Sequence, residues 1–145
     1  MLRPAPITKL PVQIARGVLV ELGQEIAGRH ESAVIEFPNT NYQLHLVPTG
    51  VIRTPIGKRI LGTIHAHARR IDIVGTGGRY IEPVYGPPRH VQGTIVAITD
   101  EDLVINAGVP IHCRPTERDQ QPSDYELGQI VGCAVMPGAT FTEAS

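Results

Sequence analysis

"GKRILGTIHAHARRIDIVG", residues 57–75, alternates between small apolar and polar side chains over most of its length. Taken two residues at a time, Ile60, Gly62, Ile64, Ala66 and Ala68 fall together on a small apolar face, with His65 and His67 on the opposite one. A period of two is the signature of a β-strand, and this is the longest candidate strand in the chain. Its core has an echo. "GTIHAHARRIDIV" at 62–74 and "GTIVAITDEDLVI" at 93–105 share Gly-Thr-Ile-x-Ala and close on aliphatic pairs. Each copy begins with a glycine inside a strand, which in a small barrel marks a bulge or a tight bend. Two similar coiled strands in one sheet are expected, not a solenoid, which needs at least three repeats.

Working outward, the rest of the chain is short apolar runs separated by turn residues. "SAVIEFP" (32–38) and "YQLHLVP" (42–48) flank Asn39-Thr40-Asn41 and predict a hairpin. "VQIARGVLVEL" (12–22) fits either a strand or a helical stripe ending near Gly28; its β-branched run favours the strand. "GRYIEPVYG" (78–86) follows the long strand. Residues 89–115 read as three strands broken at Asp100-Glu101-Asp102 and Ala107-Gly108, 117–126 as a polar loop, and 128–141 as a last apolar strand turning at Pro137-Gly138. Fifteen Gly and thirteen Pro leave few windows long enough for a helix. The predicted class is all-β: an OB-like or related small β-barrel over roughly 57–141, with an SH3-like or double-barrel arrangement as alternatives. Residues 1–11 read as an extended proline-rich arm. Residues 12–56 read as an N-terminal β-hairpin extension forming one compact unit with 57–145.

A hydrophobic content of 41 % and a charged content of 19 % suit a globular chain, and 145 residues suit one domain. Aromatics are few, with no Trp, so the core must be Val, Ile, Leu and Ala. Cys113 and Cys133 do not make a disulfide framework. No run of about 18 apolar residues occurs and "MLRPAPITKL" lacks a signal's apolar segment, so a cytoplasmic chain without a membrane partner is expected. The net charge of −1 conceals a polarity. Residues 53–90 hold seven basic side chains against two acids, a balance of +5, and residues 91–145 hold two against eight, a balance of −6. Either the blocks pair with each other, within a subunit or across a dimer, or the basic one meets an anionic partner.

His65 and His67 on one strand face have Cα atoms about 6.5 Å apart and can share a metal ion. A third ligand is needed, and His90 is the first candidate, with His112, Cys113 and the more distant His45 behind it. The pair does not carry the pattern of the cupin barrels, whose Glu three or four residues on is replaced here by Arg69 and Arg70. Catalytic sets fail to assemble. Cys113 and its neighbour His112 point to opposite strand faces, Cys133 lies in apolar "IVGCAVM", and no serine sits in a nucleophile elbow. "GTGGR" (75–79) lacks the Lys-Ser/Thr of a phosphate loop. Arg69, Arg70, Arg79 and Arg89, interleaved with Tyr80 and Tyr85, could stack bases and neutralise phosphates, although a pI near 6.6 is low for that role. The sequence therefore predicts a non-catalytic binding or assembly module whose partner is a protein, including a second copy of itself. The alternatives are single-stranded nucleic-acid or polyanion binding through those six residues, and a metal-dependent β-barrel enzyme built on His65, His67 and His90; no other cofactor is expected.

Overall fold

The computed structural model describes residues 11–144, so the predicted arm lies outside the described residues except for Pro11. The chain is all-β. Its strands are β1 (Ala15–Leu22), β2 (Glu25–Ile26), β3 (Arg29–His30), β4 (Ala33–Glu36), β5 (Gln43–Pro48), β6 (Arg59–Ile73), β7 (Tyr80–Glu82), β8 (Tyr85–Gly86), β9 (His90–Ile98), β10 (Leu103–Asn106), β11 (Pro110–Pro115), β12 (Ile130–Val135) and β13 (Thr140–Glu143). A single 3-10 turn, Pro122–Asp124, is the only helical element among the described residues, and no helix is long and apolar enough to cross a membrane.

The fifteen residues of β6 organise everything else. One edge pairs with β1 over residues 59–62 and then with β11 over 65–68. The other edge pairs with β13 over 62–65 and then with β12 over 68–73. Two five-strand circuits of hydrogen bonds result, both returning to β6: β1–β4–β5–β13–β6, and β6–β11–β10–β9–β12. Residues 15–48 and the C-terminal β13 thus meet on the first half of β6, and residues 90–135 on its second half. The edges of the long strands are largely consumed by these circuits, which removes the templates that promote edge-to-edge aggregation.

The predicted small face of β6 is the inner one: Ile60, Gly62, Ile64, Ala66 and Ala68 are all buried. Small residues are needed there because neighbouring strands come close. A Cβ on Gly62 would meet the Thr142 carbonyl oxygen at 2.3 Å and the Phe141 ring at 2.5 Å. The echoed glycine behaves alike, with Asn106 O 2.1 Å from a Cβ on Gly93. The repeat therefore encodes a close approach of the next strand's backbone, twice. The alternation ends at Arg69-Arg70, after which Ile71 turns inward. Ile71 is also where residues 116–126 dock. The Gln120 amide donates to Ile71 O and accepts from Ile71 N, both at 2.8 Å, and Tyr125 Oη donates to Ile71 O at 3.0 Å. The polar loop predicted at 117–126 is thus pinned to the sheet by side chains that imitate a strand.

One continuous buried cluster runs through both circuits, from Leu19, Ile35, Leu44, Leu46 and Phe141 to Ile71, Ile95, Leu103, Ile111 and Val131. Tyr42 stitches it. Its buried hydroxyl donates to Ala107 O at 2.9 Å and accepts from Ile81 N at 3.1 Å, so it joins the β4–β5 hairpin to the β10–β11 turn and to β7. Tyr42→Phe leaves a buried carbonyl and a buried N–H without that partner, and is expected to cost about 1–3 kcal/mol in chemical denaturation. Tyr85→Phe, on a ring that is 61 % exposed, should be neutral in the same assay.

Candidate functional site

His65 sits where the two circuits meet, flanked in register by Thr140 of β13 on one side and His112 of β11 on the other. The parallel β6–β11 pairing places the two imidazoles side by side, with ring centroids 4.4 Å apart and planes tilted by 32°. Asp102, at the turn between β9 and β10, completes the group. Its Oδ2 lies 4.0 Å from His65 Nε2, and one ligand-type atom from each of His65, Asp102 and His112 falls within 4.8 Å of the other two. The turn is fixed by Thr99, whose hydroxyl accepts from Asp102 N at 2.9 Å and Glu101 N at 3.3 Å. This folds the Asp102 carboxylate inward, leaving the residue 7 % exposed, while Asp100 and Glu101 stay in solvent.

Each buried member is held from behind. His112 Nε2 lies 2.9 Å from the Gln13 carbonyl. A carbonyl only accepts, so Nε2 carries the hydrogen and a neutral His112 keeps its lone pair on Nδ1. Arg114 Nε donates to Asp102 Oδ1 at 3.3 Å, and the same guanidinium pairs with Glu101. The site therefore contains one guanidinium balanced by two carboxylates. The His65 pKa lies below the ordinary imidazole value. Burial is the main cause, followed by His112; Asp102 pulls the other way and Arg114 adds to the lowering. Together these influences favour the neutral imidazole of His65 over the charged one. In front of the group lies a pocket of about 220 Å³, lined by His65, Ala66, His67, Asp102, Arg114, Gly138 and Thr140.

Of the three histidines singled out from sequence, His65 and His67 border this pocket and His90 does not. His90 starts β9, where it pairs with Glu82 and Ala134. Its ring stacks on Tyr80 at 5.6 Å, and it lines a separate cleft with Glu82, Pro83 and Arg89. His112, a reserve candidate by sequence, takes the position beside His65. Asp102 was hidden in what reads as an ordinary charged hairpin tip; its one signal is that it directly precedes the buried run Leu103-Val104-Ile105.

The arginine and tyrosine set is distributed over the β6–β9 region. Arg69, Arg79 and Arg89 are exposed and have no carboxylate partner among the described residues. Arg70 is engaged, 3.1 Å from Asp119 and 3.8 Å from Asp72. The hydrogen bond to Asp119 is the leading reason its guanidinium pKa is raised. Tyr80 has one ring face on His90, and Tyr85 meets His45 edge-on at 4.9 Å. Cys113 and Cys133 are free and buried, and their mutual hydrogen bonding, followed by burial, pushes the Cys113 thiol well up, away from nucleophilic use. In comparisons with known proteins, no family model, no curated protein and no solved structure matches this chain.

Proposed function

We propose that this chain is a non-catalytic binding module that works by protein contact, with a second copy of itself as the partner. The observation that carries this reading is charge left unmatched within the subunit. Among the described residues, Arg70 is the one member of the seven basic side chains of 53–90 that reaches a carboxylate within 4.0 Å. On the acidic side, Asp100, Glu117 and Glu126 likewise find no cation. Opposite charges that do not meet inside one molecule complement those of a neighbour, and a basic-to-acidic contact is head-to-tail in type. The surface is carried on a frame we read as an OB-like or related small barrel over 57–141. The five-strand circuit through β6 and β9–β12 supports that reading, and the second circuit favours its double-barrel variant.

Charge reversal tests the contact. The triple variant Arg69→Glu, Arg79→Glu, Arg89→Glu removes three unpaired exposed cations and touches no buried group. It is expected to be monomeric by light scattering in low salt, where the parent chain associates. Equal masses for the two proteins would refute the proposal. A second reading, polyanion binding, rests on the same free arginines together with the exposed Tyr85 ring, since rings stack on bases while cations neutralise phosphates. Salt-sensitive binding of a single-stranded oligonucleotide that is lost in the triple variant would select that reading instead.

A further inference from the structure

We infer that His65, His112 and Asp102 form a binding site for a divalent transition-metal ion of the zinc class. The inference is independent of the self-contact reading, because none of the three residues belongs to the free charges invoked there. Two imidazoles and one carboxylate suit zinc, cobalt, nickel or copper, whereas calcium and magnesium take all-oxygen shells. Ligand atoms around a tetrahedral ion, with bonds of about 2.0–2.2 Å, stand roughly 3.3–3.5 Å apart. The three candidate atoms lie within 4.8 Å of one another, and the His65 Nε2 to Asp102 Oδ2 separation is 4.0 Å. Closure needs inward movement of about 1 Å. His65 supplies it, since its side chain is 41 % exposed and borders the 220 Å³ pocket, so it can swing toward Asp102 and His112 without disturbing the core.

The outer contacts point the same way. Ligating histidines typically donate their second ring N–H to a carbonyl or carboxylate, which fixes the tautomer and aims the lone pair. His112 does this through Nε2 and Gln13 O, which leaves Nδ1 as the ring nitrogen without a hydrogen in the neutral form. Asp102 is held through Oδ1 by Arg114, leaving Oδ2 toward His65. Arg114 does not by itself repel the ion, because Glu101 and Asp102 neutralise it. Of the two arginines that follow the histidine pair, Arg70 is directed to Asp119 and Asp72, and Arg69 is exposed to solvent, which screens it. Three protein ligands are the number that leaves a tetrahedral ion one position for water, and His65 and Asp102 both line the pocket.

The test is calorimetric titration of the untagged, chelator-treated full chain with zinc chloride and, separately, magnesium chloride. Cobalt chloride serves as an optical probe of geometry. One zinc per chain is expected, with the visible bands of tetrahedral cobalt and no magnesium heat. His112→Ala and Asp102→Asn should each weaken zinc at least tenfold. His65→Ala, at a half-exposed position that tolerates truncation, should do the same while melting within a few degrees of the parent. His90→Ala should leave affinity unchanged. Zinc should raise the melting temperature of the parent but not of His65→Ala. Absence of zinc binding, equal affinity in parent and His65→Ala, or equal responses to zinc and magnesium would each overturn the inference.

Discussion

Replacing Phe141 by Ala is expected to lower stability by about 3–5 kcal/mol, and to do so across the whole chain in one transition. Phe141 is 1 % exposed, sits on the four-residue β13, and closes the first circuit by pairing with both β5 and β6. Its ring lies over Gly62, where no side chain is available to refill the space. Truncation therefore leaves a cavity as well as lost apolar burial. Both circuits share β6 and one buried cluster, so the second circuit cannot stay folded while the first opens. Denaturant unfolding followed by circular dichroism should shift to lower midpoint without becoming biphasic, and amide protection in β9–β12 should fall together with that in β1, β4 and β5. Phe141→Leu, which keeps most of the volume, should cost under half as much. A biphasic transition would mean that the halves are separate folding units.

Gly93→Ala is the second large effect, for the opposite reason: overfilling. Here the added methyl meets backbone, with Asn106 O at 2.1 Å, Asn106 C at 2.6 Å and Ala107 Cα at 3.0 Å. Backbone cannot rotate aside as a side chain can. β9 and β10 would have to part where Thr94 pairs with Asn106, straining the Ala107 carbonyl that Tyr42 holds. A cost at the top of the usual ~1–3 kcal/mol range for overpacking is expected, or roughly 10 °C in melting temperature. Gly75→Ala is the control, since a Cβ there meets nothing within 4 Å. A Gly93→Ala protein that melts like the Gly75→Ala protein would show that the close approach is not required.

These two residues mark what could be read in advance. The place of Gly93 inside a strand was legible from its echo at Gly62, which suggested a bulge or a tight bend; the close approach of the Asn106 backbone that excludes a side chain there was not, because it depends on how β9 and β10 pair. The hairpin around Asn39, the long β6 and the breaks at 100–102 and 107–108 were legible for the same kind of reason: period and turn chemistry are local. Phe141 shows the limit. Residues 128–141 read as one strand with a turn, while β12 and β13 in fact pair with different stretches of β6 and close different circuits. Nothing local says which distant strand a four-residue segment will join. The two-residue strands β2 and β3 were missed because Ala27-Gly28, with φ of 53° and 80°, resembles a helix stop as much as a turn. The site divides likewise. His65 and His67 were visible as a pair, but the residue beside His65 is set by the parallel register of β6 and β11, which sequence spacing does not encode. That register brings in His112, and the Thr99 turn brings in Asp102, while His90 is carried away by its pairing with β7 and β12.

The self-contact proposal is the claim most exposed to a single experiment: the solution mass of the parent chain measured by multi-angle light scattering at one protein concentration in about 25 mM and about 500 mM salt. Charges facing solvent lose their reach as the Debye length falls severalfold across that interval. A mass above 15.7 kDa per particle is expected in low salt, returning to the monomer value in high salt. A monomer in both, or an oligomer indifferent to salt, would contradict it.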